Sequence, residues 1–172
     1  LTLKNTHYAL IFNKDKKTKN LTVRIHSSCL TGDLMGSQKC DCGYQLETAL
    51  DYMSKSKNMS ILIYLNQEGR GLGIHNKIIS YNIQEKGWDT YQADNILGFS
   101  GDERDYKAAA EILKFFKVKK LNLITNNPEK VEYLKKNKIT VNKMIKIKPG
   151  INPHNKRYLE TKKIIGKHLL NL

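Results

Sequence analysis

"LNLITNNPEKVEYLKKN", residues 121–137, decides the fold class. It opens as a short apolar run of the kind that forms a strand buried on both faces. It then passes directly to Asn127, a helix-capping residue, and Pro128, which suits the first helical position. A buried strand that runs into a capped helix without a linker is the unit of an α/β fold. The same unit recurs upstream. "SILIYL" (60–65) reads as a buried strand, and "GLGIHNKIISYNIQEKG" (71–87) as a helix closed by Gly87. Further out, "HYALIFN" (7–13) and "LTVRIH" (21–26) read as strands joined by a polar, lysine-rich turn. Leu46, Ala49, Leu50 and Met53 make 44–55 helical. Ala109, Ile112, Leu113 and Phe116 do the same for 103–117. A strand near 139–147 and a helix near 155–169 complete the chain. Internal repeats and Pro/Gly-rich linkers are absent, so residues 1–172 read as one α/β domain, a mixed sheet flanked by helices. Residues 66–71 and 125–128 stand at strand-to-helix junctions, where open α/β sheets bind ligands.

The formal charge is +14, which points to an anionic partner. Only Arg24, Arg70, Arg104 and Arg157 among the thirty basic residues are arginine, and the lysines are scattered. Nucleic-acid binders cluster their basic residues and interleave aromatics, so a nucleic-acid partner is not expected. No apolar run reaches the length of a membrane span, and no signal-peptide pattern opens the chain. The first residue is Leu1 rather than Met, which suggests a trimmed N-terminus or part of a longer chain.

"CLTGDLMGSQKCDCG" (29–43) holds all three cysteines. An odd number in a chain without a secretory signal argues against a disulfide framework. Cys40 and Cys42 precede a helix, whose N-terminal dipole favours thiolate. With Cys29 they form a donor set suited to zinc. Structural zinc sites close four positions, whereas catalytic sites use three protein ligands and leave one for water. His26 could close the site as a Cys₃His centre, and three buried free thiols are the plain alternative. With an open position, zinc lowers the pKa of water to roughly 7, the chemistry of hydrolytic ring opening.

"VRIHSSCLTGD", "KCDCGYQLE", "NQEGRGLGIHNKI", "DNILGFSGDERDY" and "LITNNPEK" occur in that order. Together they resemble GTP cyclohydrolase II, over nearly the whole chain. The resemblance implies a GTP cyclohydrolase II-like fold and zinc-dependent hydrolysis of GTP. The products are 2,5-diamino-6-ribosylamino-4(3H)-pyrimidinone 5′-phosphate, formate and pyrophosphate, the first step of riboflavin biosynthesis. It further implies one Zn²⁺ per subunit on Cys29, Cys40 and Cys42, Mg²⁺ with the triphosphate, a cytoplasmic location and a homodimer. Family members carry a segment upstream of residue 7, and some are fused to a dihydroxybutanone phosphate synthase domain.

The resemblance carries roles to individual residues. Arg24, Ile25, His26, Ser27 and Ser28 match a GTP-binding segment, although Ser28 stands where the family usually has an acid. Gln45, Glu68, Gly69, Arg70, Thr90, Thr125 and Lys130 match further GTP contacts. Tyr81 matches an active-site tyrosine linked to hydrolysis of the formamide after ring opening. Asp102 matches a proton acceptor, and Arg104 a nucleophile toward the α-phosphorus. A guanidinium stays protonated, so stabilisation of transition-state charge is an equal role for Arg104. Read without the resemblance, Arg24 is a surface arginine, Gln45 an exposed residue of a first helical turn and Lys130 one lysine of many. Ser100 and Glu103 form an S-x-x-E capping box that by itself explains the acids of "SGDERDY". His75, His154 and His168 read as surface or packing residues. A formamide-releasing variant, a GTP-binding but inactive relative and a zinc-stabilised basic module remain the competing readings.

Overall fold

The computed structural model describes residues 6–14, 21–100 and 102–172. Strands β1 (Tyr8–Phe12), β2 (Thr22–Ser27), β3 (Ser60–Leu65), β4 (Lys120–Ile124) and β5 (Thr140–Ile145) form one sheet in the order β1-β3-β2-β4-β5. β2 to β5 are mutually parallel along the sheet, and β1 closes one edge antiparallel to β3. Around the sheet are α1 (Leu30–Asp33), α2 (Cys42–Ser54), α3 (Gly73–Glu85), α4 (Thr90–Ile96), α5 (Lys107–Phe115), α6 (Pro128–Lys136) and α7 (Lys156–Ile164). This is the expected single α/β domain with a mixed sheet flanked by helices.

Side chains alternate across a strand, so each central strand serves two layers. Val23, Ile25, Ile61, Ile63, Leu121 and Leu123 join Ala109 and Leu113 of α5 and Leu134 of α6 in the larger core. Leu62 and Ile124 face the other way and pack with Ala49 and Met53 of α2. Arg24 and His26 lie at the alternate positions of β2, in register with Leu62 and Tyr64 of β3. The layer under α2 thus turns from apolar to polar toward the carboxyl ends of the strands. There β2 runs into Cys29, β3 into Glu68–Arg70, and β4 into Thr125.

Three expectations need correction. The first two strands are not neighbours, because β3 lies between them; the residues joining them, 15–20, fall outside the described residues. The helix expected over 103–117 begins at Lys107. Ser100 Oγ does meet Glu103 Oε1 at 2.5 Å, but no helix starts there. Glu103 N donates instead to Arg70 O at 3.0 Å, tying 102–106 to the turn after β3. The final helix is also shorter than 155–169, ending at Ile164. Short α1 and α4 were not read from the sequence. The signal for α4 was there: Asp89 and Gln92 form its capping box.

Candidate active site

Cys29 follows β2, and Cys40 and Cys42 stand at the start of α2. Cys29 Sγ and Cys40 Sγ are 3.6 Å apart, and all three sulfurs lie within 4.8 Å of one another. Tetrahedral zinc with Zn–S bonds of about 2.3 Å sets its sulfurs about 3.8 Å apart. Gly32 of α1 lines this cluster so closely that a Cβ there would lie 2.8 Å from Cys40 Sγ and 2.9 Å from Cys29 Sγ. The donor chemistry, the spacing and the glycine cradle all fit a thiophilic metal. His26 is engaged elsewhere: its Nε2 meets Asp33 Oδ2 at 3.1 Å and its Nδ1 lies 3.4 Å from Arg24 Nη2. Among the described residues, the group able to hold a metal is the three cysteines alone.

Without a metal the three sulfurs share charge unequally. Hydrogen bonds from Cys40 and Cys42, with the nearby Lys77 ammonium, pull Cys29 far below the usual thiol range. The same sharing pushes Cys40 up to about 11 and Cys42 upward. Lys77 Nζ donates to Cys29 Sγ at 3.0 Å and to Glu68 Oε1 at 2.8 Å. Burial opposes its charge, but Cys29 and Glu68 keep it protonated.

Glu68 belongs to the tight turn Glu68–Gly71. Gly69 and Arg70 there adopt left-handed backbone angles (φ 58° and 60°), a conformation uncommon for arginine and often found at functional sites. Glu68 accepts hydrogen bonds from Leu30 N and Gly69 N as well as Lys77, so the turn and the cysteine loop hold each other. Arg70 Nη1 pairs with Asp94 Oδ2 at 2.8 Å while its guanidinium stacks on Tyr91. Around these groups is a cleft of about 710 Å³ lined by Cys29, Cys40, Cys42, Glu68, Arg70, Lys77, Tyr81, Thr90 and Arg104, among others. Tyr81 Oη is 3.4 Å from Thr31 Oγ1 beside the sulfurs, and burial pushes its pKa up.

A second cavity of about 450 Å³ adjoins the first, with Ser27, Cys42, Arg104 and Lys162 lining both. Its wall includes Arg24, Lys130, Thr125 and His168 and contains no carboxylate. Arg24 donates to Gln45 Oε1 at 2.8 Å and Ile124 O at 3.3 Å, yet its buried Nε has no partner among the described residues. Among the described residues, Lys130 Nζ donates only to a carbonyl, Ile25 O at 2.8 Å. Burial, reinforced by Arg24 and Arg104, drives the Lys130 pKa well down. Arg24 and Lys130 thus face the cavity without a carboxylate partner among the described residues, and the N-terminus of α6 adds its own positive end. Asn127 caps that helix through Glu129 N at 2.9 Å, and Thr125 Oγ1 accepts from Asn127 N at 3.0 Å. Arg104 pairs with Asp102 through its Nε at 2.7 Å and also through Nη2. Burial alone would lower the Arg104 pKa, but Asp102 holds it above its ordinary value.

Of the residues singled out in the sequence, the metal cleft gathers Ser27, Ser28, the cysteines, Glu68, Gly69, Arg70, Tyr81, Thr90 and Arg104. The adjoining cavity gathers Arg24, His26, Gln45, Thr125 and Lys130. Ile25 lies in the core, where its carbonyl serves Lys130. Asp102 lies in neither wall and reaches the site through Arg104. Arg24, Gln45 and Lys130 are buried, unlike the surface positions their pattern suggests. Sequence reasoning missed Asp33, Asp41, Lys77, Asp94, Tyr158 and Lys162. Asp33 accepts from Cys29 N at 3.0 Å and Tyr64 Oη at 2.8 Å as well as from His26. Of these, only Lys77 carried a usable signal, one helical turn before Tyr81 on the same face.

A family model described as GTP cyclohydrolase II matches residues 2–146. The chain is 49% identical over 154 residues to GTP cyclohydrolase-2 of Helicobacter pylori (strain P12), covering 89% of this chain and 78% of the relative. It is 48% identical over 158 residues to GTP cyclohydrolase-2 of Blochmanniella pennsylvanica, covering 92% and 79%. To the GTP cyclohydrolase-2 of Blochmanniella floridana it is 44% identical over 167 residues, covering 97% and 83%.

Proposed function

The chain belongs to the GTP cyclohydrolase II family, and from that premise we propose that it hydrolyses GTP to 2,5-diamino-6-ribosylamino-4(3H)-pyrimidinone 5′-phosphate, formate and pyrophosphate. The observation that carries this reading is the junction of two unlike cavities, one built on three thiols and the other lined by the basic side chains of Arg24, Arg104, Lys130 and Lys162. An electrophilic purine carbon suits the first and a triphosphate the second.

Cys29, Cys40 and Cys42 would hold zinc, which when bound supplies Lewis-acid activation of water near neutral pH. Glu68, fixed by two backbone amides and Lys77, orients the base at the sulfur end of the cleft. Tyr81 keeps its proton and can donate to the ring-opened formamide, favouring complete hydrolysis. Arg104, held charged by Asp102, stabilises negative charge at the α-phosphate. A guanidinium so paired is a poor nucleophile, so we assign it the electrostatic role and Asp102 the task of orienting it. Arg24, Arg70, Thr125 and Lys130 receive phosphate oxygens, and magnesium enters with the triphosphate.

The test is product analysis after incubating zinc-loaded protein with GTP and magnesium. Formate, pyrophosphate and the pyrimidinone phosphate are expected. Absence of both formate and pyrophosphate would sink the reading. Pyrophosphate with a formamide product and no formate would assign the shorter reaction.

A further inference from the structure

The C-terminal helix α7 lies beyond the residues that the family model matches, 2–146. It nevertheless sends two side chains into the site. Tyr158 and Lys162 are four residues apart on one helical face. Both line the metal cleft, and Lys162 lines the cationic cavity as well. Lys162 and Arg104 are the two cationic side chains common to both walls.

Lys162 Nζ is 3.2 Å from Asp41 Oδ1 and 4.7 Å from the centre of the Tyr158 ring. That carboxylate belongs to the residue between Cys40 and Cys42. Its other oxygen accepts from Gln45 Nε2, and Gln45 Oε1 in turn accepts from Arg24. Lys162 Nζ thus bonds Asp41 with the Tyr158 side chain beside it, and an ammonium with three hydrogens still has a donor to spare. Its side chain is 14% exposed, and that exposure opens on the two cavities. Asp41 fixes the position of the charge without using up its donors.

We propose that Lys162 is a phosphate-binding residue that, with Arg104, receives the phosphate chain where it passes from the thiol cleft into the cationic cavity. This rests on GTP being the substrate. α7 is then part of the binding site, and Asp41 is the residue that positions Lys162.

Binding of tripolyphosphate by calorimetry tests this without turnover. K162M removes the charge at similar volume. It is expected to retain zinc and the far-ultraviolet spectrum of the parent, bind guanosine unchanged, and bind tripolyphosphate about tenfold or more weakly, the loss of one charged hydrogen bond. K162R is expected to recover most of the affinity. In turnover, the KM for GTP should rise more than kcat falls. A merely structural clamp predicts the opposite: lost zinc or a lowered melting temperature, with tripolyphosphate affinity per folded molecule unchanged. That result overturns the proposal. A measurement on the unaltered protein covers failure of the variants to fold. Tripolyphosphate should protect Lys162 from reductive methylation, read by mass spectrometry, and equal labelling with and without it also overturns the proposal. If the parent protein binds tripolyphosphate through Lys162 yet releases neither formate nor pyrophosphate from GTP, the reaction assignment falls and the anion site stands.

Discussion

Gly32 sits where a single methyl group would meet two sulfurs, at 2.8 and 2.9 Å. Real Cβ atoms do not approach so closely, so Gly32→Ala must displace α1 or the cysteines. Zinc content should drop below half that of the parent protein while the far-ultraviolet spectrum is kept. Zinc analysis beside a thiol titration reads this directly, and parental stoichiometry in the variant would remove Gly32 from the metal cradle. Arg104 offers a second residue-scale prediction. Its paired bonds to Asp102 need the planar fork of a guanidinium. Arg104→Ala should therefore reduce pyrophosphate release by roughly 10²–10³, the usual cost of one preorganised charge donor. Arg104→Lys should restore little of it, and steady-state release assays on both variants decide the matter.

Strand-to-helix passages are where the elements of this protein do their work. At β4–α6, Asn127 caps the helix through Glu129 N, and Thr125 holds Asn127 N. Asn127→Ala should cost about 1 kcal/mol of stability in urea denaturation, and it should also weaken tripolyphosphate binding by loosening the helix start. This passage was fully legible, because cap and proline act on their own neighbours. "SGDERDY" was not. A capping box is a local signal, and here a long-range bond from Glu103 N to Arg70 O held the segment out of the helix. The glycine at 71 shows the same constraint from the other side, since a Cβ there would meet Glu103 at 3.1 Å.

At the scale of the molecule, burial weakens proton binding by His26, Lys130 and His168. Burial lowers the pKa of His26, although Asp33 pulls it back in part. Burial, with Lys162 and Arg104 nearby, lowers His168 to about 3. An unfolded histidine titrates near 6.5. Below that pH the unfolded chain binds protons that the folded chain refuses, so stability is complete above about 6.5 and is lost as pH falls toward the folded values. Urea midpoints at pH 7.5 and pH 5 should show this decline, and His168→Asn should flatten part of it. Lys130 has the same sign at higher pH, where stability should rise toward the unfolded value near 10.4. Tripolyphosphate should oppose both declines, because an anion in the cavity favours the protonated bases.

The sequence by itself determined the order of the strands and the longer helices along the chain, the thiol donor set and the residue types at the strand ends. Periodicity, caps and spacing are properties of neighbouring residues. Only the tertiary structure decided that β3 separates β1 from β2, that Arg24, Gln45 and Lys130 are buried, and that His26 turns to Asp33 instead of the cysteines. It also brought Asp41 and Lys162 to the site, from positions that look like ordinary charged surface in a chain with thirty basic residues. The physical reason is that burial and charge pairing depend on segments far apart in sequence. Lys162 lies 121 residues from Asp41, the carboxylate that holds it.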